Sequence, residues 1–199
     1  MTVRVPTTTP LAVIRSFVGS RAAWIARVCN EFNGRSPLAA IHYAEGTTLR
    51  FLGCDYRLMV VRGSVDRVTL AEDNLVVETS TEAGEVRLQA IVDAWYRQRA
   101  GEHFGMCAAA CKQRMQADGI HLPQITIRPM TSRWGSYSYR TGRISLNLNL
   151  IKTSLECIDY VIIHELCHIR VRHHGADFWK MVERYVPDHA RLRKQLKSG

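Results

Sequence analysis

The chain has 199 residues, 46% of them apolar, with a formal net charge of +9. No stretch of about 18 residues is continuously apolar, which excludes an obvious membrane-spanning helix, and residues 1–10, MTVRVPTTTP, carry no apolar leader core. A folded, cytoplasmic protein is expected, with one substantial core and a basic surface that suits either solubility or a polyanion such as a nucleotide or nucleic acid.

In chain order, Thr9 and Pro10 read as N-cap and first residue of a helix whose apolar positions are Leu11, Ile14, Phe17, Val18, Ile25 and Val28. TTLRFLGCDYRLMVV then predicts two strands turning at residues 53–55, and RVTLAEDNLVVET two more turning at Asp73 and Asn74. Residues 1–80 thus read as an N-terminal helix and a small antiparallel β subdomain. Residues 82–118 read as helical, with Val86, Ile91, Trp95, Phe104, Cys107, Cys111 and Met115 facing inward. Gly101 and Gly105 are expected to bend or break that helix, and Gly119 to stop it. Ile125 and Ile127, then Ile144, Leu146, Leu148 and Leu150, alternate as in strands with one buried face, around a turn at Thr141 and Gly142. The six cysteines read as buried thiols, because the C-x-x-x-C of Cys107 and Cys111 is not the C-x-x-C spacing of a zinc knuckle or redox pair.

The next helix carries the chemistry. Thr153 and Glu156 have capping-box spacing, predicting a helix over 154–171. Ile162, Leu166 and Ile169 fall on its core side. His164 and His168, four residues apart, share another face with Glu165 beside them. Such an H-E-x-x-H pair can aim two imidazoles at one zinc ion (Zn2+), with the glutamate placed to take a proton from a water. A zinc site open to substrate needs a third protein ligand. His174, just before Gly175, is preferred; His173, Asp177 and Glu183 are rivals, and Asp177 also reads as an N-cap for the following helix. Cys167 reads as packing rather than as a ligand.

The runs MTSRWGSYSYRTGRISLNLNLI, IDYVIIHELCHI and HHGADFWKMVERYVPD together resemble the YgjP-like metallopeptidase family, related to the SprT-like zinc proteases. The resemblance implies an α+β fold: a zincin-like (minigluzincin) core over 81–199, with a small antiparallel sheet beside the H-E-x-x-H helix, forming one domain with residues 1–80. It also implies His164, His168 and His174 as zinc ligands, Glu165 as catalytic base, and a peptide or protein substrate. Tyr137 stands where the family usually has Cys, and relatives tend to carry extra strands before the V-R-V-P segment near which this chain begins.

In the run SRWGS, Arg133 and Trp134 read either as substrate-binding or as a structural ion pair and a core aromatic. Gly135 permits a close approach. Arg133, His173 and Tyr185 are candidates to stabilise an oxyanion. Two other functions fit the same residues: a metal-dependent nucleoside triphosphate hydrolase without a P-loop, and a basic DNA-associated protein whose zinc is structural.

Overall fold

The computed structural model describes residues 9–23, 42–80 and 84–198. The chain divides into two units, Met1–His42 and Tyr43–Gly199. In the first, α1 spans Leu11–Ser20 with Pro10 as its N-cap. Thr9 therefore does not cap it: the Pro10 carbonyl accepts from the N–H groups of Val13 and Ile14 at 3.0 and 3.2 Å, so the helix starts one residue later than expected. Ile25 and Val28 lie outside the described residues. Among the described residues no helix is long and apolar enough to cross a membrane.

The second unit is α+β. Its first sheet holds β1 (Thr48–Phe51), β2 (Cys54–Arg62), β3 (Arg67–Ala71) and β4 (Asn74–Thr79) in the order β1-β2-β4-β3. Both expected hairpins form, but β2 and β4 run parallel, from Arg57↔Asn74 to Arg62↔Thr79. The sheet is thus mixed rather than antiparallel. Leu75, Val77 and Thr79 are buried along β4, whereas only Val68 is buried along β3, so the more apolar strand of the second hairpin takes the interior position. The β1–β2 turn uses Leu52 and Gly53, both at positive φ (49° and 83°), as a tight two-residue hairpin requires. Their N–H groups donate to the carbonyls of Ile151 and Lys152, at 2.9 and 3.3 Å.

Helix α2 runs Glu85–Arg114 without a break. Leu88, Val92, Tyr96, Ala100, Phe104, Ala108 and Cys111 keep three- and four-residue spacing on its buried face, with Trp95 beside Tyr96. Gly101 and Gly105 do not end it, because the buried stripe continues past them. Val86, expected inside, is 83% exposed. The α-helix ends at Arg114 with Met115 as its C-cap, and Gly119, at φ 64°, closes the 3-10 turn Gln116–Asp118 that follows. The second sheet, β5 (Ile125–Arg128), β6 (Gly135–Ser138) and β7 (Arg143–Asn147), has the order β5-β7-β6. Here too the sheet is mixed: β5 is parallel and β6 antiparallel to β7.

The strand expected to reach Leu150 ends at Asn147, followed by a 3-10 turn over Leu148–Lys152. Asn147 is the cause. Its buried side chain accepts from Met130 N and Asn149 N and donates to the carbonyls of Met130 and Arg133, which turns the chain and pins the loop before β6. Three helices follow: α3 (Leu155–Cys167), α4 (Ala176–Tyr185) and α5 (His189–Ser198). Helix α3 lies at the centre, against α2, α4, α5 and β6.

Candidate metal centre

The N-cap of α3 is Ser154, whose hydroxyl accepts from Cys157 N at 3.4 Å. The capping box on Thr153 does not form. Thr153 Oγ1 donates instead to the Leu150 carbonyl at 2.8 Å, and Glu156 meets Arg191 at 2.8 Å. The helix ends at Cys167, not Val171, with His168 as its C-cap. The chain then turns, and Gly175 serves as N-cap of α4 where Asp177 was expected; Asp177 sits inside the first turn.

This path brings three histidines to one point. His174 Nε2 lies 3.0 Å from His164 Nε2 and 3.1 Å from His168 Nε2. Among the described residues, His164, His168 and His174 are the one group of three or more metal-ligating side chains whose donor atoms converge. His173, Asp177 and Glu183 lie outside it.

The protonation pattern suits a cation. His168 Nδ1 lies 3.1 Å from the Val171 carbonyl. A carbonyl can only accept, so Nδ1 carries the proton and Nε2 presents a lone pair to the cluster. Burial, followed by the neighbouring His168, His174 and Arg193, pushes His164 down to about 3. Burial also lowers His168 and His174. Each imidazole is therefore held neutral, the form that ligates. Two ring nitrogens at hydrogen-bond distance from a third must share its single N–H, whereas one ion satisfies all three together. The chain's own residues fit a divalent metal.

Aromatic rings set this geometry. The Phe178 ring centre lies 4.9, 4.6 and 4.7 Å from those of His164, His168 and His174. Trp179 stacks on His174 at 5.7 Å, and its Nε1 donates to the His174 carbonyl at 3.1 Å. Tyr139, at the end of the β6–β7 hairpin, brings its hydroxyl within 3.3 Å of His168 Nδ1 while donating to the Arg172 carbonyl at 3.2 Å. The sequence reading missed all three. Phe178 and Trp179 fall four and five residues after His174, a spacing equally suited to an ordinary helix face, and Tyr139 is brought in by a turn.

Glu165 is 5% exposed, against β6. A Cβ on Gly135 would lie 2.8 Å from Glu165 Oε1 and 3.0 Å from Val161 Cγ1, so the close approach anticipated at Gly135 is made by this carboxylate. Burial pushes the carboxyl up to about 7, opposed by a hydrogen bond from the Tyr137 backbone and the charge of Arg133. Trp134 is half-buried, and its Nε1 donates to the Leu196 carbonyl at 3.0 Å. Arg133 is exposed and forms no ion pair with any described residue. The hydroxyl of Tyr185 donates to Asp118. Cys167 is fully buried, with its thiol pushed up to about 12 by burial.

An α+β unit whose central helix contributes two of three convergent, neutral imidazoles is built as a metal-binding domain. Residues 1–199 match the family model described as "YgjP-like, metallopeptidase domain", and the chain belongs to the YgjP-like metallopeptidase family. Over 64 residues it is 31% identical to the uncharacterized protein MJ0123 of Methanocaldococcus jannaschii, an alignment covering 31% of this chain and 58% of that protein, so the chain spans little more than half of that relative. It is also similar to two solved metallopeptidase zymogens. Abylysin of Pyrococcus abyssi gives a TM-score of 0.44 at 21% identity, covering 48% of this chain and 92% of that one. Jannalysin of M. jannaschii gives 0.42 at 20%, covering 48% and 88%.

Proposed function

We propose that this protein is a zinc-dependent peptidase, with His164, His168 and His174 as metal ligands and Glu165 as the general base. The observation that carries this reading is the convergence of His164 and His168 Nε2 on His174 Nε2, at 3.0 and 3.1 Å, with a buried carboxylate at the position next to His164. When bound, a divalent ion such as zinc supplies Lewis acidity, lowering the pKa of a water to about 7 and polarising a carbonyl. Glu165 takes a proton from the attacking water at its carboxylate and returns it to the leaving amine. A carboxyl balanced near neutrality suits both transfers.

His168 is held in the ligating tautomer by the Val171 carbonyl, and Tyr139 steadies the same ring from outside. Strand β6 is an edge of its sheet, so an extended peptide can pair along it next to Glu165. In this reading residues 81–199 are a zincin-like core of minigluzincin type, with α3 as its active-site helix, and residues 1–80 form an accessory helix and β subdomain.

Metal analysis and peptide cleavage on the same preparations test the assignment. Wild type is expected to bind close to one zinc per chain and to cut peptides. Glu165→Gln should keep the metal and lose roughly 100- to 10,000-fold in rate, the usual worth of a general base. His174→Ala should lose the metal and His173→Ala should keep it. Full zinc retention in His174→Ala, or full activity in Glu165→Gln, is incompatible with these roles.

A further inference from the structure

Positive charge collects on the rim of the histidine group and is left uncompensated. The guanidinium of Arg172 lies 4.7 Å from the ring centre of Tyr139, whose hydroxyl reaches His168. The guanidinium of Arg193, on α5, lies 5.1 Å from the ring centre of Trp179, which stacks on His174. Each guanidinium is thus one aromatic ring away from a different histidine. Both are exposed. Arg172 and Arg193, like most of the described arginines, have no carboxylate of a described residue within 4.0 Å; what sets these two apart is their place on the rings that flank the histidines. Arg133, in the loop before β6, is likewise exposed and unpaired, and its charge acts on Glu165.

Free cations beside a site that holds a cation weaken that site through repulsion; an anionic ligand would offset it. A guanidinium lying on an aromatic ring is also pre-positioned, with its N–H fork left free for a carboxylate. We infer that the substrate of this site is an acidic peptide, anchored by its side-chain carboxylates on Arg172 and Arg193. Two separated guanidiniums, each on its own ring, suit isolated carboxylates, whereas a phosphate chain is tracked by a continuous basic groove. This inference rests on the metallopeptidase reading above and names the class of substrate for it.

Binding separates the two claims. Zinc-loaded Glu165→Gln protein is titrated at low salt with fluorescein-labelled peptides that share one apolar centre and carry Glu, Gln or Lys around it, with a single-stranded oligonucleotide as a further ligand. The Glu peptide is expected to bind about tenfold tighter than the Gln peptide, as one or two charge-assisted hydrogen bonds allow. The Lys peptide should bind most weakly. The preference should shrink with added salt, vanish when Arg172→Ala and Arg193→Ala are combined, and persist in Arg62→Ala on the exposed end of β2. Zinc content and circular dichroism check that the double variant is folded. The single Arg193→Glu reversal gives a second reading, since it should shift the preference toward the Lys peptide.

Equal binding of the Glu and Gln peptides overturns the inference, as does a Glu preference that survives the double substitution. So does an oligonucleotide that binds through these arginines while the acidic peptide does not. The same peptides are then given to zinc-loaded wild type. A Glu preference in binding with no cleavage keeps the cationic rim and removes the peptidase reading, whereas cleavage of all three alike does the reverse.

Discussion

Burial and ionisation pull Glu165 in opposite directions. The side chain is packed under Gly135 and Val161, and burial moves its carboxyl from 4.5 to about 7. Without a metal the fold therefore favours the neutral acid, which stabilises it fully below the unfolded value near 4.5. That contribution is lost as pH rises through about 7, because the unfolded chain ionises Glu165 first. The shift corresponds to about 3 kcal/mol. Glu165→Gln cannot ionise, so metal-free Glu165→Gln should be more stable than metal-free wild type by about 3 kcal/mol at pH 8 and nearly equal to it at pH 4. Urea unfolding of chelator-treated protein at the two pH values measures this, and a difference that does not grow with pH would mean that Glu165 is not desolvated. Any side chain at position 135 would push Glu165 off this seat, which is why glycine stands there.

At the level of elements, local patterns located the pieces and long-range partners decided their ends and neighbours. His164 and His168 were legible because a four-residue spacing on a helix is a geometric fact about the backbone. His174, expected as a third ligand just before Gly175, does converge with His164 and His168. The N-cap was ambiguous: Thr153 and Ser154 both have capping hydroxyls, and the choice fell to Ser154 because Thr153 Oγ1 is occupied by the Leu150 carbonyl. Period-two alternation identified β3 and β4 as strands but carries no information on which strand neighbours which, so the parallel β2–β4 and β5–β7 pairings were invisible. The rings of Tyr139, Phe178 and Trp179 became site residues only through tertiary packing. In α2, the penalty expected at Gly101 and Gly105 was outweighed by the buried stripe on either side of them. It is still present as lost stability. A Cβ at either position meets nothing within 4 Å, so Gly101→Ala and Gly105→Ala should each stabilise the fold by about 1 kcal/mol. Gly119→Ala should destabilise it, because φ is 64° there. Thermal denaturation of the three variants reads the sign, and a fall in Tm for Gly101→Ala would show that α2 needs the flexibility it was first expected to have.

For the molecule as a whole, the proposed metal binding is linked to folding through the same protons. The fold holds three imidazoles neutral, with His164 down at about 3 against 6.5 when unperturbed. The unfolded chain takes up protons on these residues below 6.5 that the folded chain refuses, so the metal-free protein loses stability as pH falls from 6.5 toward 3. The same neutrality would protect the proposed metal binding. A flexible histidine cluster would surrender zinc to protons near 6.5, whereas this one keeps its lone pairs in more acidic solution. Zinc at about a hundred times its Kd should add about 2.7 kcal/mol and raise Tm by roughly 5–10 °C for a chain of this size. That rise should persist at pH 6, below the ordinary histidine value, and be absent at every pH in His164→Ala. Scanning calorimetry across pH 5 to 8, with zinc and with chelator, measures both. A zinc-dependent rise that collapses at 6.5, or one that His164→Ala retains, would mean that the ion binds loose surface histidines and that the folded centre described above is not where it sits.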